Sequence, residues 1–412
     1  MPAERGAPHP ASSLALPGEV PSESAFPRRF GDYLLVCPLA EGGMAEVFLA
    51  RHRRGGVRWQ AIKCLRPKLA RQERFQQMFD REARLALLLD HPNVVRSREA
   101  GAVDGQWFIA MDYVAGQDLS ALLRRCRAEK ESLPIELAVH LAMMISRGLH
   151  YAHSLVGPQG RPLHVVNRDV SPANVRVSYD GEVKLLDFGI AQAALALTSE
   201  IGVVKGKLPY MSPEQIRGLP LDRRSDVYST GVVLHEMLTG RRLFAEESEF
   251  ELRERVRQSD VAPPSTLNPE VPQALDATVM RALEREPSER FADAAALEAV
   301  LAPYTVPDDE ARASLATLVQ RLFPEAYRAE PSRRSEAPLP EAPRRAPPAA
   351  PRASSAVVER APEPRREPPA PPLADPDLPS PLDEGPSLWI WLTSAALLLT
   401  GAGLLYWASR TW

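Results

Sequence analysis

Two residue patterns in the first hundred positions could handle a phosphate, and a third residue could support one of them. Leu39-Ala-Glu-Gly-Gly-Met-Ala-Glu-Val47 lies between two strand signals and contains Gly42 and Gly43. Bare backbone at such a turn can fold over a phosphate and donate N–H groups to it, although many glycine turns between strands bind nothing. Sixteen residues beyond Val47, Gln60-Ala-Ile-Lys63 sets one lysine on a strand with apolar neighbours. Its ammonium then needs an anionic partner or a route to water. Glu82, on the helical segment that follows, can be that partner; the alternative is an ordinary surface salt bridge.

Further along come Asn167-Arg-Asp169-Val-Ser-Pro-Ala-Asn174, Asp187-Phe-Gly189 and Ser212-Pro-Glu214. In order and separation they resemble the catalytic loop, metal-binding loop and Ala-Pro-Glu segment of protein kinases, downstream of a Gly-rich loop and a strand lysine. The wording Gly-Gly-Met-Ala-Glu-Val-Phe and Asp-Val-Ser-Pro-Ala-Asn is most similar to the eukaryotic-type Ser/Thr kinases of bacteria, over about Tyr33 to Pro303. The resemblance implies an enzyme that uses ATP and Mg²⁺ to phosphorylate protein Ser/Thr hydroxyls. By similarity, Leu39, Ala40, Gly42 and Gly43 cover the phosphates, Lys63 holds the α- and β-phosphates, and Glu82 fixes Lys63. Asn174 and Asp187 ligate Mg²⁺, a hard cation that favours oxygen ligands. Asp169 accepts the proton of the incoming hydroxyl. Val47 and Ala61 close over the adenine, Met111 stands at the back of the pocket, and Asp112 to Val114 form the hinge. Asp226 and Arg290 resemble scaffold residues, Arg290 as the ion-pair partner of Glu214.

The departures from that pattern carry expectations of their own. Asn167 stands where the family has His, which implies reduced rigidity around Phe188. Ala40 and Ala45 replace two of the loop glycines and imply weaker ATP binding. Ser171 occupies the position of the usual lysine after the catalytic Asp, while Lys207 occupies that of the usual threonine. Hydroxyl and ammonium are thus exchanged, so either Lys207 supplies the positive charge with Ser171 as its hydrogen-bond partner, or Lys207 is a solvated loop residue. Arg168 beside Asp169 implies control by phosphorylation of the loop after Gly189, with Thr198 and Ser199 as the available hydroxyls. Ala173, where basic-directed kinases place Glu, disfavours an Arg-seeking substrate groove.

The elements that must position these residues are legible in part. Strand signals cover Tyr33 to Val36, Glu46 to Ala50 and Trp59 to Leu65, with Gly42/Gly43 and Gly55/Gly56 at the turns. Phe75, Met78, Phe79, Leu85 and Leu89 fall at near-helical spacing before Pro92. Ile135 to Leu155 reads as a helix with Pro134 at its first position. Short strands at Val175 to Val177 and Val183 to Leu186 flank a Tyr179-Asp180-Gly181 turn. The fold class is α+β: a small β-rich lobe and a larger helical one. Beyond it, Leu315, Leu318, Val319, Leu322 and Phe323 define a helix over Asp308 to Arg328, either packed on the body or offering a docking surface.

Composition bounds the rest. Hydrophobic residues at 44% and charged residues at 25% are those of a folded protein, yet 41 prolines are about twice the usual share. Residues 1–30 form an extension without a signal-peptide run. Residues 331–387 hold 17 of the prolines and read as a disordered Pro/Ala/Arg-rich linker. Leu388 to Ala408 gives 21 residues without a charge, with Trp389 and Trp391 near one end and Tyr406 and Trp407 near the other. As a helix it would be roughly 31 Å long, enough to cross a bilayer. Residues 409–412 follow as a short tail, too short for a sensor domain. ATP is cytosolic, which places the kinase body on that side, although Asp383, Glu384 and Arg410 mildly oppose the positive-inside tendency. A net charge of -3 gives no reason to expect nucleic acid. Cys37, Cys64 and Cys126 are too widely spaced for a zinc site or disulfide framework and fit a reducing compartment. Expected partners are protein substrates, membrane lipid at the C-terminal helix, and a second copy for autophosphorylation. The alternative function is a catalytically weak pseudokinase scaffold, suggested by Asn167 and the altered glycine loop.

Overall fold

A computed structural model describes residues 26–53, 58–157, 159–188, 207–245 and 248–330. Gly55, Gly56, Thr198, Ser199, the linker, the apolar segment 388–408 and the tail lie outside them. Among the described residues no helix is long and apolar enough to cross a membrane.

The smaller lobe is a six-stranded sheet of β1 (Arg28–Phe30), β2 (Tyr33–Glu41), β3 (Ala45–His52), β4 (Trp59–Leu65), β5 (Ser97–Val103) and β6 (Gln106–Asp112). Its strands pair antiparallel in the order β1-β2-β3-β4-β6-β5. Strand β1 corrects the boundary of the N-terminal extension, because Phe30 pairs with Tyr33 and packs edge-on against Phe108 at 5.4 Å. Strand β2 outruns its expected end at Val36, so Leu39 and Ala40 belong to a strand rather than a loop. Strands β5 and β6 carry weak hydrophobic alternation and were not expected. Asp104 and Gly105 both take positive φ, the geometry of a two-residue hairpin turn, and join them.

Two helices lie against this sheet, α1 (Pro67–Ala70) and α2 (Glu73–Ala86). Phe75, Phe79, Glu82 and Ala83 are buried on α2, three or four residues apart, so one stripe faces the sheet. Phe75 and Phe79 pack with Leu65 and Ile109, and that contact brings the Glu82 carboxylate toward β4.

The larger lobe is built on α3 (Leu119–Glu129) and α4 (Ile135–His153). Asp118 caps α3 by accepting from the Ala121 N–H at 2.7 Å. Pro134 is the N-cap of α4, one position before the expected first turn, because its extended ψ of 138° precedes the helix. Strand β7 (Gly116–Asp118) pairs with β8 (Val175–Ser178), which pairs with β9 (Val183–Leu185). Gly116 is required there: a Cβ would lie 2.0 Å from the Val177 carbonyl oxygen. Then follow α5 (Pro213–Arg217), α6 (Arg224–Thr239), α7 (Glu249–Gln258), α8 (Gln273–Ala282) and α9 (Ala294–Leu301). Val227, Tyr228 and Val233 of α6 and Leu275 and Val279 of α8 are fully buried in the same core as α4.

The helix expected over Asp308 to Arg328 is two, α10 (Asp308–Leu322) and α11 (Pro324–Ala329). Pro324 has no N–H to continue the ladder and disfavours helical geometry at Phe323, whose ψ is 56°. Ala311, Leu315, Val319 and Leu322 are buried in the large-lobe core, so the apolar stripe is covered by the body and is no docking surface. All three cysteines are free thiols.

Candidate active site

Lys63 points from β4 into the space between the lobes. Its ammonium contacts Glu82 Oε1 at 2.7 Å and Asp187 Oδ1 at 3.1 Å, with the lysine side chain 13% exposed. Burial alone would lower its pKa, but the carboxylates of Asp187 and Glu82 more than offset that and hold it above the ordinary lysine value. Burial raises the Asp187 pKa, and Lys63 and Lys207 outweigh it, so this carboxyl stays ionised below its usual range. Glu82 moves upward, because burial dominates the attraction of Lys63. The surface-pair alternative for Lys63 and Glu82 fails on this geometry, since the pair is enclosed and shares a second carboxylate.

Across the cleft, the chain between β7 and β8 is wound around Asp226. Its carboxylate accepts from the backbone N–H groups of Asn167 at 2.7 Å and Arg168 at 2.8 Å, and bonds His153 Nε2 at 2.7 Å. This holds Arg168 in left-handed backbone, φ 67°, and turns Asp169 inward. Asp169 is 7% exposed. Asn174 Nδ2 donates to the Asp169 carbonyl at 2.9 Å and to its Oδ2 at 2.7 Å, which directs the Asn174 amide oxygen away from Asp169. Burial raises the Asp169 pKa, tempered by Lys207 and Asn174.

Lys207 meets the Asp169 carboxylate directly through an Nζ–Oδ2 ion pair. Its expected partner Ser171 does not take part: that hydroxyl is buried and has no hydrogen-bond partner among the described residues. The carboxylate is the stronger acceptor and draws the ammonium away from the hydroxyl. Asn167 also behaves differently from expectation. Its Nδ2 donates to the Asp187 carbonyl at 3.0 Å and its Oδ1 accepts from the Asp169 N–H at 3.0 Å, so the short amide ties the two functional loops together. Phe188 is held separately, by Leu89, Val94, Ala152 and Val165.

An apolar bed lies beside these charges. Ala61, Val95 and Met111 form its buried part, with Val47, Val114 and Leu186 against them. Of these, Val95 and Leu186 were missed; Leu186 directly precedes Asp187, and its apolar neighbours Val183 and Leu185 were the available signal. Asp112 is turned aside by Arg98, at 2.8 and 2.6 Å, so its carboxylate faces away from the bed. In the glycine turn the Gly42 N–H donates to the Ala45 carbonyl at 2.9 Å. Ala40 is exposed, whereas the Ala45 methyl is buried in the small lobe, which leaves one added methyl rather than two at the loop surface. Arg290 grips Glu214 at 2.7 and 2.8 Å, fully buried, as expected of a scaffold pair.

The comparisons with known proteins agree with this geometry. Residues 33–305 match the protein kinase domain family. Tyrosine-protein kinase MasK of Myxococcus xanthus is 41% identical over 278 residues, 67% of this chain and 43% of that protein. Serine/threonine-protein kinase PknB of Mycobacterium leprae is 37% identical, covering 64% and 41%. Serine/threonine-protein kinase PrkC of Bacillus subtilis is 34% identical, covering 65% and 40%. The chain thus spans about two fifths of the length of these curated relatives. The crystal structure of the Mycobacterium tuberculosis PknI kinase domain superposes with a TM-score of 0.52 at 28% identity, covering 68% of this chain and 98% of that one. With this sequence match, the two-lobed architecture and the converging Lys63, Glu82, Asp169, Asn174 and Asp187, the chain belongs to the protein kinase family.

Proposed function

We propose that the chain is an active protein kinase that moves the γ-phosphoryl group of ATP onto Ser or Thr hydroxyls of proteins. The observation that carries this is the convergence of Lys63, Glu82 and Asp187 with Asp169, Asn174 and Lys207 beside one apolar bed. Magnesium-bound ATP supplies the phosphoryl group, and the donor set fits it: a carboxylate and an amide oxygen suit a hard cation, while an enclosed ammonium suits the phosphates. Asp187 and Asn174 would hold the metal and Lys63 the α- and β-phosphates. Asp169 accepts the hydroxyl proton at its carboxylate and orients the oxygen for attack. Lys207 places positive charge beside that carboxylate, where charge develops as the phosphoryl group moves. Val47, Ala61, Val95 and Met111 exclude water from the purine side. Among the described residues nothing in the cleft favours a binding-only scaffold, because Asn167 makes its own bridge between the functional loops.

The choice of hydroxyl is the finer part of the proposal. PknB and PrkC are named serine/threonine kinases, while MasK, at 41% identity, is named a tyrosine kinase, and that similarity supports tyrosine as the second reading. Acid hydrolysis of ³²P-labelled product decides between them: phosphoserine and phosphothreonine support the first reading, and phosphotyrosine alone overturns it. The proposal extends to autophosphorylation at Thr198 or Ser199. Arg168 supports it, since its buried Nε has no hydrogen-bond partner among the described residues. It also extends to a C-terminal membrane anchor at Leu388 to Ala408, supported by the uncharged run and its aromatic ends. Sedimentation with membranes that persists after removal of residues 388–408 would refute the anchor.

A further inference from the structure

The hinge between the lobes is pinned from outside by three side chains. Arg98 of β5 holds the Asp112 carboxylate at 2.8 and 2.6 Å. Arg176 of β8 donates its Nε–H to the Val114 carbonyl at 3.2 Å. Between them, the Tyr113 hydroxyl donates to Glu330 Oε2 at 3.1 Å. Arg98 and Arg176 come from the two sheets that flank the hinge. Glu330 comes from 217 residues further along the chain and lies beyond the stretch that matches the kinase family, which ends at 305.

The path that delivers Glu330 is built rather than incidental. Leu315 and Val319 of α10 are fully buried in the large-lobe core. Arg312 donates to the Asp180 carbonyl at 3.0 Å, and Gln320 to the Tyr179 carbonyl at 2.7 Å. Tyr327 of α11 packs edge-on against Tyr179 at 5.2 Å. Gly181, at φ 77°, allows the closest approach, because a Cβ there would lie 2.0 Å from the Arg312 carbonyl oxygen. Residues 308–330 therefore form a strap, laid from the back of the large lobe to the hinge. At its end Glu330 is only 5% exposed. Burial raises the pKa of the Cys37 thiol on β2, and the negative charge of Glu330 adds to that rise.

We propose that Glu330 and Tyr113 are positioning residues for nucleotide binding: the strap's terminal carboxylate fixes the hinge tyrosine and thereby the backbone against which the purine docks. This rests on the reading of the cleft as an ATP site. A free hinge would sample other interlobe angles, and ATP would have to select the competent one, which lowers apparent affinity by the competent fraction. Since the contact acts before chemistry, its loss raises Kd and KM for ATP and leaves kcat in place.

The test uses the full chain with ATP and Mg²⁺, by calorimetric titration and by the ATP dependence of autophosphorylation. Glu330→Gln and Tyr113→Phe are each expected to weaken ATP binding about three- to tenfold, as the loss of one charge-assisted hydrogen bond would. The double variant is expected to bind no more weakly than either single, with kcat unchanged in all three. Tyr113→Phe retains the ring and its packing, so it reports on the bond even if Glu330→Gln loosens the strap. Singles that bind ATP like the parent chain, or effects that simply add, would overturn the proposal. A parent chain that binds no ATP would overturn the reading of the cleft and this inference with it.

Discussion

Replacing Lys207 by Ala tests the member of the cleft whose partner was not expected. The ammonium lies on the Asp169 carboxylate with its side chain 24% exposed, so it is partly dehydrated but open to water. A unit charge about 4 Å from a phosphoryl oxygen, at an effective dielectric near 20, contributes about 4 kcal/mol. Water at the exposed quarter screens part of this, and about 2 kcal/mol retained in the transition state corresponds to roughly 30-fold in turnover. The assay is the initial rate of autophosphorylation of the full chain over a range of ATP concentrations up to saturation. Lys207→Ala should lower kcat by that factor with little change in KM for ATP, because Lys63 still holds the nucleotide. Lys207→Arg keeps the charge and should retain most of the rate. Adding Ser171→Lys to Lys207→Ala should recover part of it, since Ser171 follows Asp169 by two residues and its hydroxyl has no hydrogen bond to lose among the described residues. Turnover of Lys207→Ala equal to that of the parent chain would refute the role assigned to this charge.

Three further outcomes concern the scaffold. Arg290→Met would strand the Glu214 carboxylate in the core and cost about 3–5 kcal/mol, read as a fall of roughly 10 °C in Tm. Leu315→Ala removes a fully buried side chain of α10 and should cost about 2–5 kcal/mol by urea titration. Gly181→Ala should detach the strap, because its Cβ has no room beside Arg312, and limited proteolysis should then cut within residues 306–330 while leaving the body intact.

The site was more legible in the sequence than the elements that carry it, and the reason is physical. Under the proposed function Lys63, Glu82, Asp169, Asn174 and Asp187 each have one chemistry to perform, so residue type and order were enough to bring them together as candidates. Strands β5 and β6 escaped because no residue of Ser97–Val103 is buried and it lacks a clean alternation, although Asp104-Gly105 was a hairpin signal in plain view. The break at Pro324 was equally available. The partner of Lys207 was not, since whether an ammonium meets a hydroxyl or a carboxylate depends on how two loops fold over each other. Asn167 shows the same limit: read as the loss of a support, it proves to be a two-sided bridge that depends on the Asp187 carbonyl lying within 3.0 Å. Glu330 had no signal, because its contact with Tyr113 spans 217 positions and exists only through the strap's packing.

The most direct measurement is phosphate incorporation by the full chain from labelled ATP and Mg²⁺, beside an Asp169→Asn chain shown to be folded by its Tm. Asparagine keeps the shape of Asp169 but cannot take the hydroxyl proton, so incorporation should fall by at least about a hundredfold. Equal labelling of the two chains, or none in the parent, would contradict the assignment of this cleft as the site of phosphoryl transfer.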